Sequence, residues 1–362
     1  MTCSNSKPGL KKRLTFTALA GVLAAAALYL FLHHQAYSYE DTGVPTQTEM
    51  SPRLKKLFAK TKSVCFGRYV LDLPEEARLI LGYQEMPAKI ITHENATGKQ
   101  KDLVEAFRKE ALIEDPEAEF TSIIAGPVPN SLLLRYFGSP YLKSRGSEGI
   151  RSFVSTGNHV FEFGWGSGRE ESADQIIRQS AEIARNIRAR DNAEVPKGPG
   201  ACIDLGFIAE TTGQFQEIFS AGVNFPSLPD VSFSVMSNKN ARTDGPNGVG
   251  IIARHEAAMR DQGVVFPTDS ELARLRIGKH IVNGWNGEEV LLRHNGKDGA
   301  IIHEFMWEMI GKTGDLRHPA SVDINLDTGV AANTKYATKG SLTDDEAVAL
   351  WDKLLSSLRF RD

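Results

Sequence analysis

Ile150-Arg151-Ser152-Phe153-Val154-Ser155, Thr156-Gly157-Asn158, His159-Val160-Phe161-Glu162-Phe163-Gly164-Trp165 reads as two strands around a turn. A Gly-Asn turn between runs rich in aromatic and β-branched residues is a hairpin signal. His159, Phe161, Phe163 and Trp165 alternate with Val160, Glu162 and Gly164, a period of two that predicts a sheet with one packed and one wet face. The same period recurs at Val231, Phe233 and Val235 against Ser232 and Ser234, and at Ile301, Phe305, Trp307 and Met309 against Glu304 and Glu308. Helices are expected near 100–113 and 250–262. Two more carry start signals. Ser172 and Gln175 fit a capping box ahead of Ile176, Ile183, Ala184 and Ile187; Thr343 and Glu346 fit another ahead of Ala347, Leu350, Trp351, Leu354 and Leu358. Hairpins with few helices specify an α+β fold: two similar α/β domains, each an antiparallel-rich sheet covered by helices, after an N-terminal membrane helix.

The break between the domains is Asp191-Asn192-Ala193-Glu194-Val195-Pro196-Lys197-Gly198-Pro199-Gly200-Ala201, whose prolines and glycines stop regular structure. It separates 63–192 from 201–362, with 193–200 as linker. Each half opens on a cysteine in a strand-like run, Val64-Cys65-Phe66-Gly67-Arg68-Tyr69-Val70 and Ala201-Cys202-Ile203-Asp204-Leu205-Gly206-Phe207-Ile208. Each closes on a capped helix ending Ile187-Arg188-Ala189-Arg190-Asp191 or Leu358-Arg359-Phe360-Arg361-Asp362. Opening, closing and order together point to a duplicated unit.

At the N-terminus, Lys7, Lys11, Lys12 and Arg13 lie in a basic segment, 1–13, ahead of an uncharged apolar run, 14–32. At about 1.5 Å per residue the run spans a bilayer core, and the flanking charge keeps 1–13 in the cytoplasm and exports the rest. A cleaved signal peptide is the rival reading, but its apolar region is shorter and ends in small residues, whereas here His33, His34 and Gln35 follow. Residues 33–62 are a polar tether, ending in a short helix. Both readings place the folded part in the periplasm, tethered or released, with the inner membrane contacted through 14–32.

Composition excludes more than it selects. Apolar residues make up 41% and charged ones 24%, which rules out rods, collagen and wholesale disorder. Net charge −3 argues against a nucleic-acid binder, and three cysteines cannot form a disulfide scaffold. Equivalent positions in two repeats need not touch. Two separately buried strand cysteines are therefore preferred to a Cys65–Cys202 bridge, although export permits one. Catalytic motifs fail on spacing. Gly164-Trp165-Gly166-Ser167-Gly168 lacks the glycine two residues before the serine. His255-Glu256 and His303-Glu304 lack the second histidine of a zinc helix. The run from Asp323 to Gly329 has its glycine one place late for a calcium loop. No metal, cofactor or catalytic residue is expected.

Several segments carry a resemblance. Val64-Cys65-Phe66-Gly67-Arg68-Tyr69-Val70-Leu71-Asp72-Leu73-Pro74, the run from Cys202 to Ile208, and His280-Ile281-Val282-Asn283-Gly284-Trp285-Asn286-Gly287-Glu288-Glu289 resemble the immunity proteins that neutralise type VI secretion lipases of the fourth effector family. The resemblance covers about 63–362. It implies a non-enzymatic periplasmic protector whose domains clasp the cap region of a cognate lipase or phospholipase, as a monomer in a 1:1 complex. An envelope scaffold without a lipase partner is the alternative. Candidate contacts are Asn283, Trp285 and Asn286 on a glycine-bounded turn, and Tyr141, Lys143 and Arg145 in the loop 139–149.

Overall fold

The computed structural model describes residues 22–28, 49–168, 171–243, 248–261, 272–295, 299–314, 318–330 and 339–361. After α1 (Pro52–Leu57), the first half runs β1 (Thr61–Phe66), β2 (Tyr69–Pro74), β3 (Arg78–Glu85), β4 (Ile90–His93), α2 (Gln100–Glu114), β5 (Glu119–Ala125), β6 (Ser131–Phe137), α3 (Pro140–Ser144), β7 (Gly149–Thr156), β8 (His159–Gly166), α4 (Ala173–Asn186) and β9 (Ile187–Ala189). The second half runs β10 (Gly200–Ile203), β11 (Gly206–Ala209), β12 (Ile218–Asn224), β13 (Val231–Asn238), α5 (Ile251–Asp261), β14 (Leu272–Val282), β15 (Trp285–Asn295), β16 (Ile301–Ile310), β17 (Ser321–Thr328), α6 (Asp344–Ser357) and β18 (Arg359–Phe360).

The expected hairpin is β7–β8, with Gly157 in the left-handed region, and both predicted N-caps form. Ser172 Oγ accepts from the Gln175 amide, and Thr343 and Glu346 close a reciprocal capping box.

One sheet has the order β4-β8-β7-β6-β5, the other β14-β15-β16-β17-β13-β12-β3, all antiparallel. The run β13-β17-β16-β15-β14 repeats β4-β8-β7-β6-β5 strand for strand, and β3 and β12 pair with each other where the halves meet. Two small sheets exchange partners: hairpin β1–β2 pairs with β18 at the end of the other half, and hairpin β10–β11 pairs with β9.

The expected wet face is absent from the five-stranded sheet. On one side α4 packs through Ile176, Ile183 and Ala184 onto Ile150, Phe161 and Phe163; on the other α2 packs through Val104 onto Leu134, Phe153 and Val160. Glu162, a residue expected in water, is buried, with Arg151 and His93 on its two oxygens at 2.7 Å each. Paired this way, a carboxylate can be buried. The largest core lies under the seven-stranded sheet, where Phe233, Phe305, Trp307, Ile324 and Leu326 meet Leu350, Trp351 and Leu354 of α6.

The preferred reading of the cysteines is corrected. Cys65 and Cys202 form a disulfide, because partner exchange lays the two opening hairpins side by side, and Gly67 and Cys202 trade two backbone hydrogen bonds of 2.7 Å. The expected tether is docked from residue 49 onward: Leu54 is fully buried and Ser51 Oγ donates to Glu346 at 2.6 Å. Most of the expected anchor, 14–32, lies outside the described residues. Residues 22–28 are helical and exposed, and among the described residues no helix is long and apolar enough to cross a membrane.

Candidate partner-binding face

Residues paired across antiparallel strands point to the same side of a sheet. Ile80, Gly222, Ser234, Asn325 and Met306 therefore form one row across β3, β12, β13, β17 and β16, opposite the side that α6 covers. α5 covers the far end of this outer face, where Ile251, Ile252 and Met259 pack on Ile277, Val290, Leu292 and Met306. An isolated bridge from Glu85 to Lys89 carries the same face across to β4. Beyond it α2 roofs the five-stranded sheet. Two helices thus flank a strip over β3, β12, β13 and β17 that stays uncovered among the described residues.

The strip's floor is low, because Gly82, Ser220, Gly222, Ser232 and Ser234 present little side chain. From it rise Ile80 (58% exposed), Tyr83 and Met236 (42% each), isolated apolar groups of the kind that anchor interfaces. Along β16 and β17 the floor is acidic. Glu308 faces Asp323 across the ladder, and burial pushes both carboxyls up, with Arg254 opposing. Burial, with the nearby Glu304 charge, pushes Asp327 up to about 6.

On the α2 flank a cavity of about 780 Å³ opens between the helix and the sheet. Leu103 and Phe107 wall it, Arg151, His93 and Glu162 form the floor, and Lys89, Glu110 and Glu114 stand at the mouth. The floor is already satisfied: Arg151 bonds Glu162 and stacks 4.7 Å over Phe107.

The seam is a second concentration of charge. The Arg68 guanidinium, on the β1–β2 turn, reaches Glu217 at 2.7–3.0 Å and Glu210, and Lys239 Nζ meets Glu217 at 2.9 Å. All four side chains are buried. Burial alone would raise the Glu210 carboxyl, yet hydrogen bonds from Thr212 and Arg68 hold it below the usual range.

Of the proposed contacts, Trp285 is at the edge of the core, edge-on to Tyr69 and Phe360. Asn283, with φ 48°, donates to the Leu358 carbonyl. The turn closes onto the end of α6, so Trp285 is half-buried there, whereas Asn283 stays exposed with its amide bonded. Asn286 is exposed. The expected loop 139–149 contains α3, capped by Ser139. On it Tyr141 is 69% exposed, and Lys143 pairs with Glu119; Arg145 caps its end. The register row through Ile80 and the Arg68 network were not readable from spacing.

Among the described residues no group of three or more metal-binding side chains comes together. One arrangement has hydrolase residue types. His303 lies 2.8 Å from Thr328 Oγ1 and 3.0 Å from Asp344. But Thr328 and His303 are fully buried, and the Thr328 oxygen already accepts the His303 amide. The cluster ties α6 to the sheet.

Residues 194–362 match the family model of the Tle cognate immunity protein 4 C-terminal domain. No protein of curated function matches the sequence. Among solved structures, the apo immunity protein TplEi of T6SS from Pseudomonas aeruginosa superimposes with TM-score 0.67 and 25% identity, over 83% of this chain and 97% of that one. The same protein complexed with "L" peptide gives 0.65 at 25%, over 83% and 98%. A chain of the Tle4-Tli4 complex gives 0.68 at 26% identity, over 84% and 98%.

Proposed function

We propose that the chain, whose residues 194–362 match the family model of the Tle cognate immunity protein 4 C-terminal domain, belongs to that family and binds and inhibits a type VI secretion lipase effector, protecting the cell that makes it. The observation that carries this reading is the uncovered strip between α2 and α5, with Ile80, Tyr83 and Met236 standing on a floor of small residues. A stoichiometric inhibitor needs rigid shape and a few desolvated anchors and no nucleophile. The cap of the lipase, the part that must open at a lipid surface, is the element the strip holds shut. In this reading the chain is a periplasmic, non-enzymatic, monomeric inhibitor, anchored by 14–32. It is a repeat of two units divided at 193–200, with opening hairpins exchanged. Tyr141 and Asn286 remain candidate contacts at its rim.

The test is a phospholipid-vesicle assay with the cognate lipase. Activity falls in proportion to added inhibitor and vanishes at one equivalent. Ile80→Asp combined with Met236→Asp weakens inhibition at least about 100-fold while circular dichroism is unchanged. Full lipase activity at tenfold excess of the unaltered chain refutes the reading. Binding without loss of activity favours the envelope scaffold.

A further inference from the structure

The contact between the two hairpins is unlike either core. Its backbone pairing is the Gly67–Cys202 exchange, and beside it lie Val70, Phe207 and the buried disulfide. Around that small apolar kernel the seam is polar. Arg190, with its guanidinium pushed down to about 10 chiefly by burial, donates to the carbonyls of Asp191, Glu194, Ile203 and Gly206. Arg361 donates to the carbonyls of Pro196 and Gly198. The Pro/Gly linker, read from sequence as a stop between domains, is thus pinned by two arginines next to the bond. Arg68 and its two glutamates complete the ring. Buried charge is the part of a protein that gains most from water entering. A bond between residues 137 apart in sequence restrains the open state more than a local one does, with a dependence that grows as the logarithm of the loop length.

We propose that the Cys65–Cys202 bond is a compartment-dependent lock. In a reducing compartment Cys65 and Cys202 are thiols and the halves loosen at the seam; in an oxidising one the bond closes them into a single frame. Closure converts two S–H groups into one S–S bond. The two protons and two electrons pass to an exchangeable disulfide of a protein oxidant or of glutathione, which leaves as two thiols. Reduction loosens the seam first, because the two hairpins it joins are rooted in different apolar cores, β1–β2 in that of the seven-stranded sheet and β10–β11 in that of the five-stranded one. The lock also sets the distance between the walls of the uncovered strip, a consequence that rests on the function proposed above.

The experiment is hydrogen exchange on the full chain, oxidised and after reduction, with the C65S/C202S variant alongside. Alkylation of the denatured chain counts two more thiols after reduction. Amides of 61–74 and 200–209 exchange at least tenfold faster on reduction, and those of β7, β8, β16 and β17 change less than twofold. Equal protection of the seam in both states overturns the lock, and so does simultaneous loss of protection everywhere. Because reduction acts on the wild-type chain, a variant that fails to fold leaves the test intact. In cells whose envelope oxidation is blocked, acid-trapped chain has both thiols free and protection against the lipase is lost. If the exchange result holds and protection persists, the proposed binding face is wrong and the lock stands.

Discussion

Replacing Arg68 by alanine removes the cation that faces Glu217 and Glu210. Breaking a buried pair from one side costs about 3–5 kcal/mol, because the partner's charge stays behind. Here the low end applies. Glu217 keeps Lys239, and Glu210 keeps the Thr212 hydroxyl and the Thr212 and Gly213 amides. The expected loss is about 3 kcal/mol. With an unfolding entropy of about 2.1 cal/mol/K per residue over roughly 300 residues, this lowers the melting temperature by about 4–5 °C. The pH dependence carries a sign. Glu210 is held below its ordinary value in the folded state, so it stabilises above the unfolded pKa, and that contribution is lost as pH falls through the folded one. Without Arg68 the Glu210 carboxyl rises, and the gap between variant and wild type narrows toward acid. Urea unfolding at neutral and acid pH measures both. Glu217→Gln added to Arg68→Ala recovers at least about 1 kcal/mol of coupling. A loss under about 1 kcal/mol with no coupling refutes the network as drawn.

Gly67→Ala is expected to destabilise by more than about 2 kcal/mol: φ is +47°, and a Cβ would stand 2.6 Å from the Phe219 ring; thermal unfolding reads the loss. Asp327, whose carboxyl is raised to about 6, ionises at a cost in the fold, so this destabilisation is absent below pH 4 and complete above about pH 7. Asp327→Asn therefore stabilises by about 1–2 kcal/mol at pH 8 and by little at pH 4, as parallel melts would register. Trp285→Ala lowers stability by about 2–3 kcal/mol through lost packing on Tyr69 and Phe360, whereas Tyr141→Ala, on an exposed side chain, changes it by less than about 0.5 kcal/mol. Equal effects would show that turn 283–284 does not dock as described.

Local signals in the chain were readable, and partnerships were not. The turn at Gly157 and the caps at Ser172 and Thr343 are written in neighbouring residues, so hairpin and helices stand where expected. The pairing of β3 with β12 is different. Leu79 and Leu81 announce a buried face but carry nothing about which strand lies alongside. Glu162 reads as a wet residue until Arg151 and His93 come within reach through folding. The two cysteines looked equivalent and separate because exchange of hairpins between halves leaves no trace in spacing. The candidate face suffered most: its floor is small residues from both halves, unremarkable singly, and Trp285, the aromatic that sequence favoured, closes onto the end of α6.

Arg361 donates its amide to the Arg68 carbonyl, and Arg359 pairs with Asp72. The first strands of the folded body are thus completed by its last residues. From the β1–β2 hairpin to β18 the backbone is close to a ring, and the two ends of that stretch are neighbours. The opening hairpin gains its third strand only after residues 359–361 have been made, so until then a nascent chain holds β1 and β2 without that partner. Joining those ends and cutting instead near residue 197 should yield a circular permutant with the same architecture, in which second precedes first.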